Sequence, residues 1–365
     1  YLLITELIFI NLAFWKTVNA KHFSPVYFVS IFVSIPYLYR VPANSHIPIA
    51  LNMEATPQPL ISVVMATYNG EKYLSRQLDS LLAQTYPNVE IVICDDASTD
   101  GTSLLLASYG AIHSNIRIYH NKKNLGYIGN FERAITLSSG ALVALCDQDD
   151  YWHPEKLSVQ YEALGEVALV YCDSRICDDQ LEPIGFTVST ISNCQNYTSC
   201  LQQAVFCRIY GNTMLFKKSM LQGALPFPTV LPHDWWISFL AAHRGGIVYC
   251  NQILVEYRQH ADNLIGAATG SSRQISQEEK AAANEKEVND IRERMALFYS
   301  TCPEELAFEK KALEQLNRSY SNFSLSANFL RLYCFLRYRK WLLAVKRRSS
   351  IRKLLFCLKM FVKIK

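Results

Sequence analysis

Residues 60–101 read LISVVMATYNG-EKYLSRQLDSLLAQTYPN-VEIVICDDASTDG, and this stretch decides the fold class. Leu60–Ala66 and Val89–Cys94 are short apolar runs rich in β-branched residues with few alternating polar positions, as expected of strands buried on both faces. Between them, within Glu71–Thr85, Leu74, Leu78, Leu81 and Leu82 fall at i, i+4, i+7 and i+8, one stripe of a 3.6-residue helix. Working outward, Ile116–Tyr119, Ala141–Cys146 and Val167–Tyr171 repeat the strand pattern with helical stretches between. Alternating strands and helices predict an α/β fold, a Rossmann-like, mostly parallel sheet with helices on both faces. Residues 183–232, with Pro183, Pro226, Pro228 and Pro232, read as loops and small strands; 274–318, rich in Glu, Lys, Ala and Gln and broken at Pro303, read as two helices.

In such a sheet ligands gather at the carboxyl ends of the strands. The first strand runs into Thr67-Tyr68-Asn69-Gly70, the second into Asp95-Asp96-Ala97-Ser98-Thr99-Asp100-Gly101, and the fourth into Asp147-Gln148-Asp149-Asp150. Parallel strands place all three clusters on one edge. Carboxylates concentrated there repel unless a positive charge compensates, and a hard divalent cation, Mg²⁺ or Mn²⁺, does so while also neutralising a diphosphate. Asp100 and Ser98 read as helix caps. Asp149 does not, because an apolar strand ending in three acids within four residues lacks a structural motive.

The segments ISVVMATYNG, VEIVICDDASTDGT, NLGYIGNFERAI and LVALCDQDDYWHPEKL resemble, in order and spacing, the family 2 glycosyltransferases of the GT-A fold over about residues 60–160. LPHDWWISFLAA and VEYRQHADNLIGA resemble the bacterial branch described as rhamnosyltransferase-like and extend the likeness to about residue 267. A dinucleotide-binding dehydrogenase is excluded, since the first βα turn lacks G-x-G-x-x-G. The resemblance implies that Asp96 accepts the N3–H of a uracil or thymine ring, with Thr67, Tyr68 and Asn69 lining the base pocket. It implies that Asp149 contacts the metal, with Asp147 on ribose or metal; Asp150 is either a supporting acid or the cap of a helix at Pro154. Asp234 takes the place of the catalytic base, which removes a proton from an acceptor hydroxyl as it attacks the anomeric carbon with inversion; it could also cap the helix Trp235–His243. His233 stands where the family usually has another acid. One of Trp235 and Trp236 is expected in a sugar pocket, because adjacent indoles cannot both face a core from one helix. His260 reaches the metal or diphosphate or is structural, Arg258 reads as a phosphate clamp, and Asn124, Gly126 and Arg133 come from a segment that often contacts the diphosphate.

The rest of the chain bounds these readings. With 365 residues, 50% apolar and 19% charged, it can bury a large core, which excludes disorder and collagen-like repetition. Eleven cysteines with no C-x-x-C pair suggest neither a disulfide framework nor a zinc ribbon, but a reducing compartment. Residues 1–58 form an apolar N-terminal segment in which Pro25 and Pro36 interrupt the longer run; it reads as a membrane hairpin, a targeting segment or a non-native extension, with Met53 a candidate start. The expected division is then a GT-A domain over 59–267, a helical extension over 268–330 and a basic amphipathic tail over 331–365. That tail holds twelve Lys or Arg and no acid, so the net +4 is the sum of a basic tail and an acidic remainder. Leucines, Trp341 and phenylalanines interleave with the cations, which suits a membrane-surface helix rather than a nucleic-acid partner; the alternative is a solvated helix packed on the domain. Together these readings predict a metal-dependent inverting transfer of a sugar, rhamnose foremost, from a dTDP- or UDP-sugar to a saccharide or lipid-linked saccharide at the cytoplasmic face of the inner membrane, in surface polysaccharide synthesis. Another hexose donor, a retaining or hydrolytic enzyme and a non-catalytic saccharide-binding module are the rivals.

Overall fold

The computed structural model describes residues 58–260, 277–322 and 324–362. The segment 1–57, and with it the hairpin, targeting and Met53 readings, lies outside the described residues, as does the proposed domain end at 267.

Each strand expected from the sequence forms, within two residues at most ends: β1 Ile61–Thr67, β2 Val89–Asp95, β3 Ile116–His120 and β4 Leu142–Cys146. They are followed by β5 Tyr151–Trp152, β6 Leu169–Cys177, β7 Pro183–Thr187, β8 Met214–Lys217 and β9 Ile247–Arg258. Nine strands make one sheet in the order β3-β2-β1-β4-β8-β6-β9-β5, with β7 beside β6. β1 to β4 pair in parallel, as do β6 and β9, while β8, β5 and β7 run against their neighbours. The parallel register levels Thr67 with Asp95 and Asp95 with His120, and Met65 with Cys146, so the three polar clusters share one edge.

Alternate strand residues feed two apolar layers. Ile61, Val63 and Met65 of β1 pack with Leu74, Leu78 and Leu81 of helix α1 (Glu71–Leu82) on one face, beside helices α2 (Thr102–Ile112) and α4 (Lys156–Leu164). Val64, Val92 and Leu145 face the other side, against α3 (Gly126–Leu137) and α5 (His233–His243). α1 ends at Leu82 rather than Thr85, shortly before Pro87. At about 25 cal/mol per Å² of apolar area removed from water, these layers supply most of the driving force for folding.

The expected break at Pro303 separates α6 (Gln277–Thr301) from α7 (Ala307–Tyr320), and α8 (Leu325–Arg337) and α9 (Ser350–Lys359) follow. The basic tail is not a separate object. α8 runs through the expected boundary at 330/331, and Arg331 is fully buried, donating to Met360 O at 2.8 Å, Ser319 O at 2.7 Å and Asn328 Oδ1 at 2.6 Å. Leu342, Leu343, Val345, Cys357 and Met360 join the same apolar layer as α5, so the inner face of the tail packs on the domain. All eleven cysteines are unpaired. No helix of the described residues is long and apolar enough to cross a membrane.

Candidate active site

The loop after β1 is held from both sides. Tyr68 N donates to Gln148 Oε1 at 2.9 Å and Gln148 Nε2 returns to Tyr68 O at 3.1 Å, so a side-chain amide ties the end of β1 to the loop after β4. A Cβ on Gly70 would come within 2.3 Å of the same Gln148 side chain, which is why the turn carries glycine. Asn69, at φ 48°, accepts from Thr99 N at 2.8 Å and donates its own N–H to Ser98 Oγ at 2.9 Å. Ser98 therefore links loops and donates to Asp95 rather than capping a helix. Asp100, one residue before the N-cap Gly101 of α2, accepts from Thr102 N in the first turn of that helix at 3.0 Å and from Glu71 N at the start of α1 at 3.2 Å, while Glu71 accepts Gly101 N at 2.9 Å.

Asp96 is buried at the end of β2. Its Oδ1 accepts Asn121 Nδ2 at 2.6 Å and Leu125 N at 2.8 Å, and its Oδ2 accepts Gly126 N at 2.9 Å, leaving lone-pair capacity on Oδ2. Asn124 and Gly126, expected near a diphosphate, thus shape the surroundings of Asp96: Asn124 Nδ2 bonds the Asp96 carbonyl at 3.2 Å. Arg133 faces the Cys94 thiol on β2. Thr67 is buried beside them, with Oγ1 donating to Asp95 at 3.2 Å. Sequence reasoning missed Asn121, although it directly follows the end of β3, where the strand-end rule directs attention.

The acids after β4 form the electrostatic centre. Asp149 Oδ2 lies 2.8 Å from His260 Nε2, both side chains being at least 86% buried, so these two expected metal-contacting residues meet. Asp147 is held well above the ordinary carboxylate range by burial and then by the charges of Asp149 and Asp234, which also shows that Asp234 approaches this loop. Asp150 is raised for the same reason, burial first, then Asp149 and Asp147. It is not the cap of α4, whose N-cap is Glu155; it is fully buried and accepts Arg258 N at 3.0 Å and the Asn212 side-chain amide. Arg258 braces the acidic loop: its guanidinium is buried, bonding Asp149 O at 2.6 Å and the Asp179 carbonyl and lying 4.5 Å from the Tyr73 ring centre.

Asp234 sits within the first turn of α5, one residue inside the helix, so it is not the N-cap; Pro232 holds that position. Its Oδ1 accepts Trp235 N at 2.7 Å, and burial pushes its carboxyl up to about 6 against the opposing help of the Trp235 and Gly211 N–H groups. A carboxylate with a pKa in that range is suited to accept a proton near neutral pH. A Cβ on Gly211 would meet Leu145, His233 and Asp234 at 3.5, 3.4 and 3.8 Å, so the start of α5 packs on β4 through that glycine. His233 is buried against Phe131 with ring centres 4.2 Å apart, and burial pushes it down to about 3, so it is neutral. Neither of its ring nitrogens has a hydrogen-bond partner among the described residues.

Both indoles pack against the apolar layer, Trp236 buried and Trp235 half-buried. Trp236 is buried, donates to Ala224 O at 3.3 Å and stacks on Phe239. Trp235 donates to Gln203 O at 2.5 Å and packs between Arg294, at 4.3 Å from its ring centre, and Phe298 of α6. Helix α6 packs on Trp235 and Phe239 while Trp236 faces Ala224, so both adjacent indoles find partners within the protein.

The donor set suits a hard divalent cation. Asp149 and His260 offer oxygen and imidazole, and the mutual repulsion that raises Asp147 is what a cation would relieve. Among the described residues no three His, Cys, Asp or Glu side chains are already grouped for a metal.

Comparison with known proteins agrees with this architecture. Residues 62–222 match the model of glycosyl transferase family 2. An uncharacterised protein of Mycobacterium tuberculosis is 29% identical over 230 residues, 59% of this chain and 63% of that protein, so the chain spans under two thirds of this relative's length. An Escherichia coli protein named UDP-Glc:alpha-D-GlcNAc-diphosphoundecaprenol beta-1,3-glucosyltransferase is 28% identical over 203 residues, 54% of this chain and 77% of the relative. The crystal structure of S. aureus TarS 1–349 in complex with UDP-GlcNAc superposes with a TM-score of 0.50 at 18% identity, covering 83% of this chain and 81% of that one, which establishes the GT-A fold.

Proposed function

Taking as premise that the chain carries a family 2 glycosyltransferase domain, we propose that it transfers a sugar with inversion from a UDP- or dTDP-sugar to a saccharide acceptor, with Asp234 as the base. The observation that carries this reading is the Asp149–His260 pair in the loop after β4 together with Asp234, whose charge acts on Asp147 of the same loop and whose own carboxyl burial raises to about 6. Asp96 accepts the imide N–H of the base at Oδ2, while Thr67, Tyr68, Asn69 and Asp147 border the nucleoside. Asp149 and His260 hold Mg²⁺ or Mn²⁺, which when bound neutralises the diphosphate leaving group. Asp234 removes the acceptor hydroxyl proton as that oxygen bonds the anomeric carbon and the bond to the diphosphate breaks. His233, neutral and buried beside Asp234, keeps a second negative charge out of the base's surroundings.

The donor sugar divides two readings. The HDWW and YRQH segments favour rhamnose, whereas the E. coli relative is named for glucose transfer onto a lipid diphosphate-linked sugar. That name also favours a lipid-linked acceptor, surface polysaccharide synthesis and work at the cytoplasmic face of the membrane. Isothermal titration of UDP-glucose, UDP-GlcNAc and dTDP-rhamnose with and without Mn²⁺, followed by product stereochemistry, tests the proposal. Mn²⁺-dependent binding of one donor and an inverted product are expected. A retained configuration, or saccharide binding without turnover of any donor, would remove it.

A further inference from the structure

α9 has two apolar faces, and among the described residues only one of them is packed. Cys357 and Met360 are buried and Phe356 meets Phe335 and Phe206, while Arg331 fixes the helix end through Met360 O. On the other side, Ile351, Leu354, Leu355, Leu358 and Val362 recur at helical spacing and are 72, 43, 59, 49 and 71% exposed. The stripe continues onto α8, because Phe361 touches the exposed Phe329 with ring centres 4.9 Å apart, and Leu325 lies one turn before Phe329. A continuous apolar surface of this kind is unusual on a protein that meets only water.

Its charge surroundings say what covers it. No Asp or Glu occurs anywhere in residues 315–365. At the start of α9 a cavity of about 320 Å³ is lined by Lys346, Arg347, Arg348, Arg352 and Lys353 with no acid in its wall. Arg347 in this open depression is anchored to the carbonyls of Ser189 and Thr190 at 2.6 and 3.2 Å. Apolar residues flanked by such cations match a surface with hydrocarbon below and phosphodiesters above.

We propose that the outer face of α8 and α9 is the surface by which the folded protein lies on an anionic phospholipid bilayer, with a lipid phosphate in the Lys346–Lys353 cavity and Leu354, Leu355 and Leu358 among the acyl chains. Membrane contact here belongs to a rigid face of the domain, one helix side wide, and not to a detachable tail. It complements the proposed lipid-linked acceptor but does not depend on donor chemistry, which vesicle-free nucleotide-sugar binding reports separately.

The test is co-sedimentation of the full chain with phosphatidylglycerol–phosphatidylcholine vesicles and with phosphatidylcholine alone. At least tenfold stronger binding to the anionic vesicles is expected, weakened by high salt. Leu354→Ser with Leu355→Ser should abolish binding at every salt concentration, and Arg348→Ser with Arg352→Ser should remove the preference for anionic lipid. Both variants should keep the wild-type circular dichroism and nucleotide-sugar affinity. The surfactant-free oligomeric state is measured alongside. Equal binding to neutral vesicles, no vesicle binding, binding of an RNA oligonucleotide in place of vesicles, or a dimer that Leu355→Ser dissociates would each overturn the proposal.

Discussion

At the end of β2, Asp95 and Asp96 receive hydrogen bonds from the hydroxyls of Thr67, Ser98 and Ser103, the His120 ring, the Asn121 amide and the N–H groups of Leu125 and Gly126. After β4, the fourth strand counted from the sheet's β3 edge, the acids are treated differently: burial and mutual repulsion hold Asp147 and Asp150 above their ordinary range, and no donor is directed at the Asp147 carboxylate among the described residues. Asp234 is raised as well, by burial, although the Trp235 and Gly211 N–H groups oppose the shift. One region spends its charge on organising backbone; the other keeps charge under-compensated where a cation and a proton would arrive. Neutralised acids build a binding surface, and frustrated ones await a reaction.

The sharpest way to break this contrast is Asp234→Asn. If the frustrated region does the chemistry, kcat should fall on the order of a thousandfold while donor affinity measured by calorimetry stays within about twofold, because the lost interaction matters only as the proton moves. Asp149→Asn should come next, with roughly a hundredfold loss of Mn²⁺-supported turnover and loss of the Mn²⁺ effect on nucleotide affinity. The pH dependence separates the regions more finely. The base must be ionised, so kcat/KM should fall about tenfold per pH unit below about 6 and level off above it, and Asp234→Asn should lack that limb. Stability follows the opposite sign: a carboxyl raised in the folded state stabilises fully below its ordinary pKa, and that contribution is lost as pH rises through about 6. The wild type should therefore lose about 2–3 kcal/mol relative to Asp234→Asn between acidic and neutral pH, as read by urea unfolding. The smallest effect is expected at the satisfied end, where Asn121→Ala should cost about 1–3 kcal/mol of stability and weaken nucleotide binding without altering the pH profile.

How much of this was legible follows from what a short segment can encode. The strands β1 to β4 declare themselves because burial on both faces demands uninterrupted apolar runs, and the parallel arrangement then brings Thr67, Asp96 and Asp149 to one edge by register alone. Asp234 and His260 required the family resemblance, since nothing local in HDWW or YRQH fixes where α5 and β9 dock. Surroundings distant in sequence stay invisible to both of the remaining readings: the pocket expected for one of Trp235 and Trp236 leaves out α6, which packs on Trp235, and the phosphate reading of Arg258 leaves out the carbonyls of Asp149 and Asp179 that take N–H groups from it. Asn212, the partner of Asp150, sits in a short irregular stretch with no periodic signal.

That partnership bears on engineering. Asp150 joins three stretches remote in sequence: its own loop, the 211–213 turn through the Asn212 amide and the end of β9 through Arg258 N. Anyone transplanting a new sugar preference from another transferase as a cassette would have to exchange 147–150, 211–213 and 256–260 as one set, because a graft of any single piece strands a sealed carboxylate without its hosts.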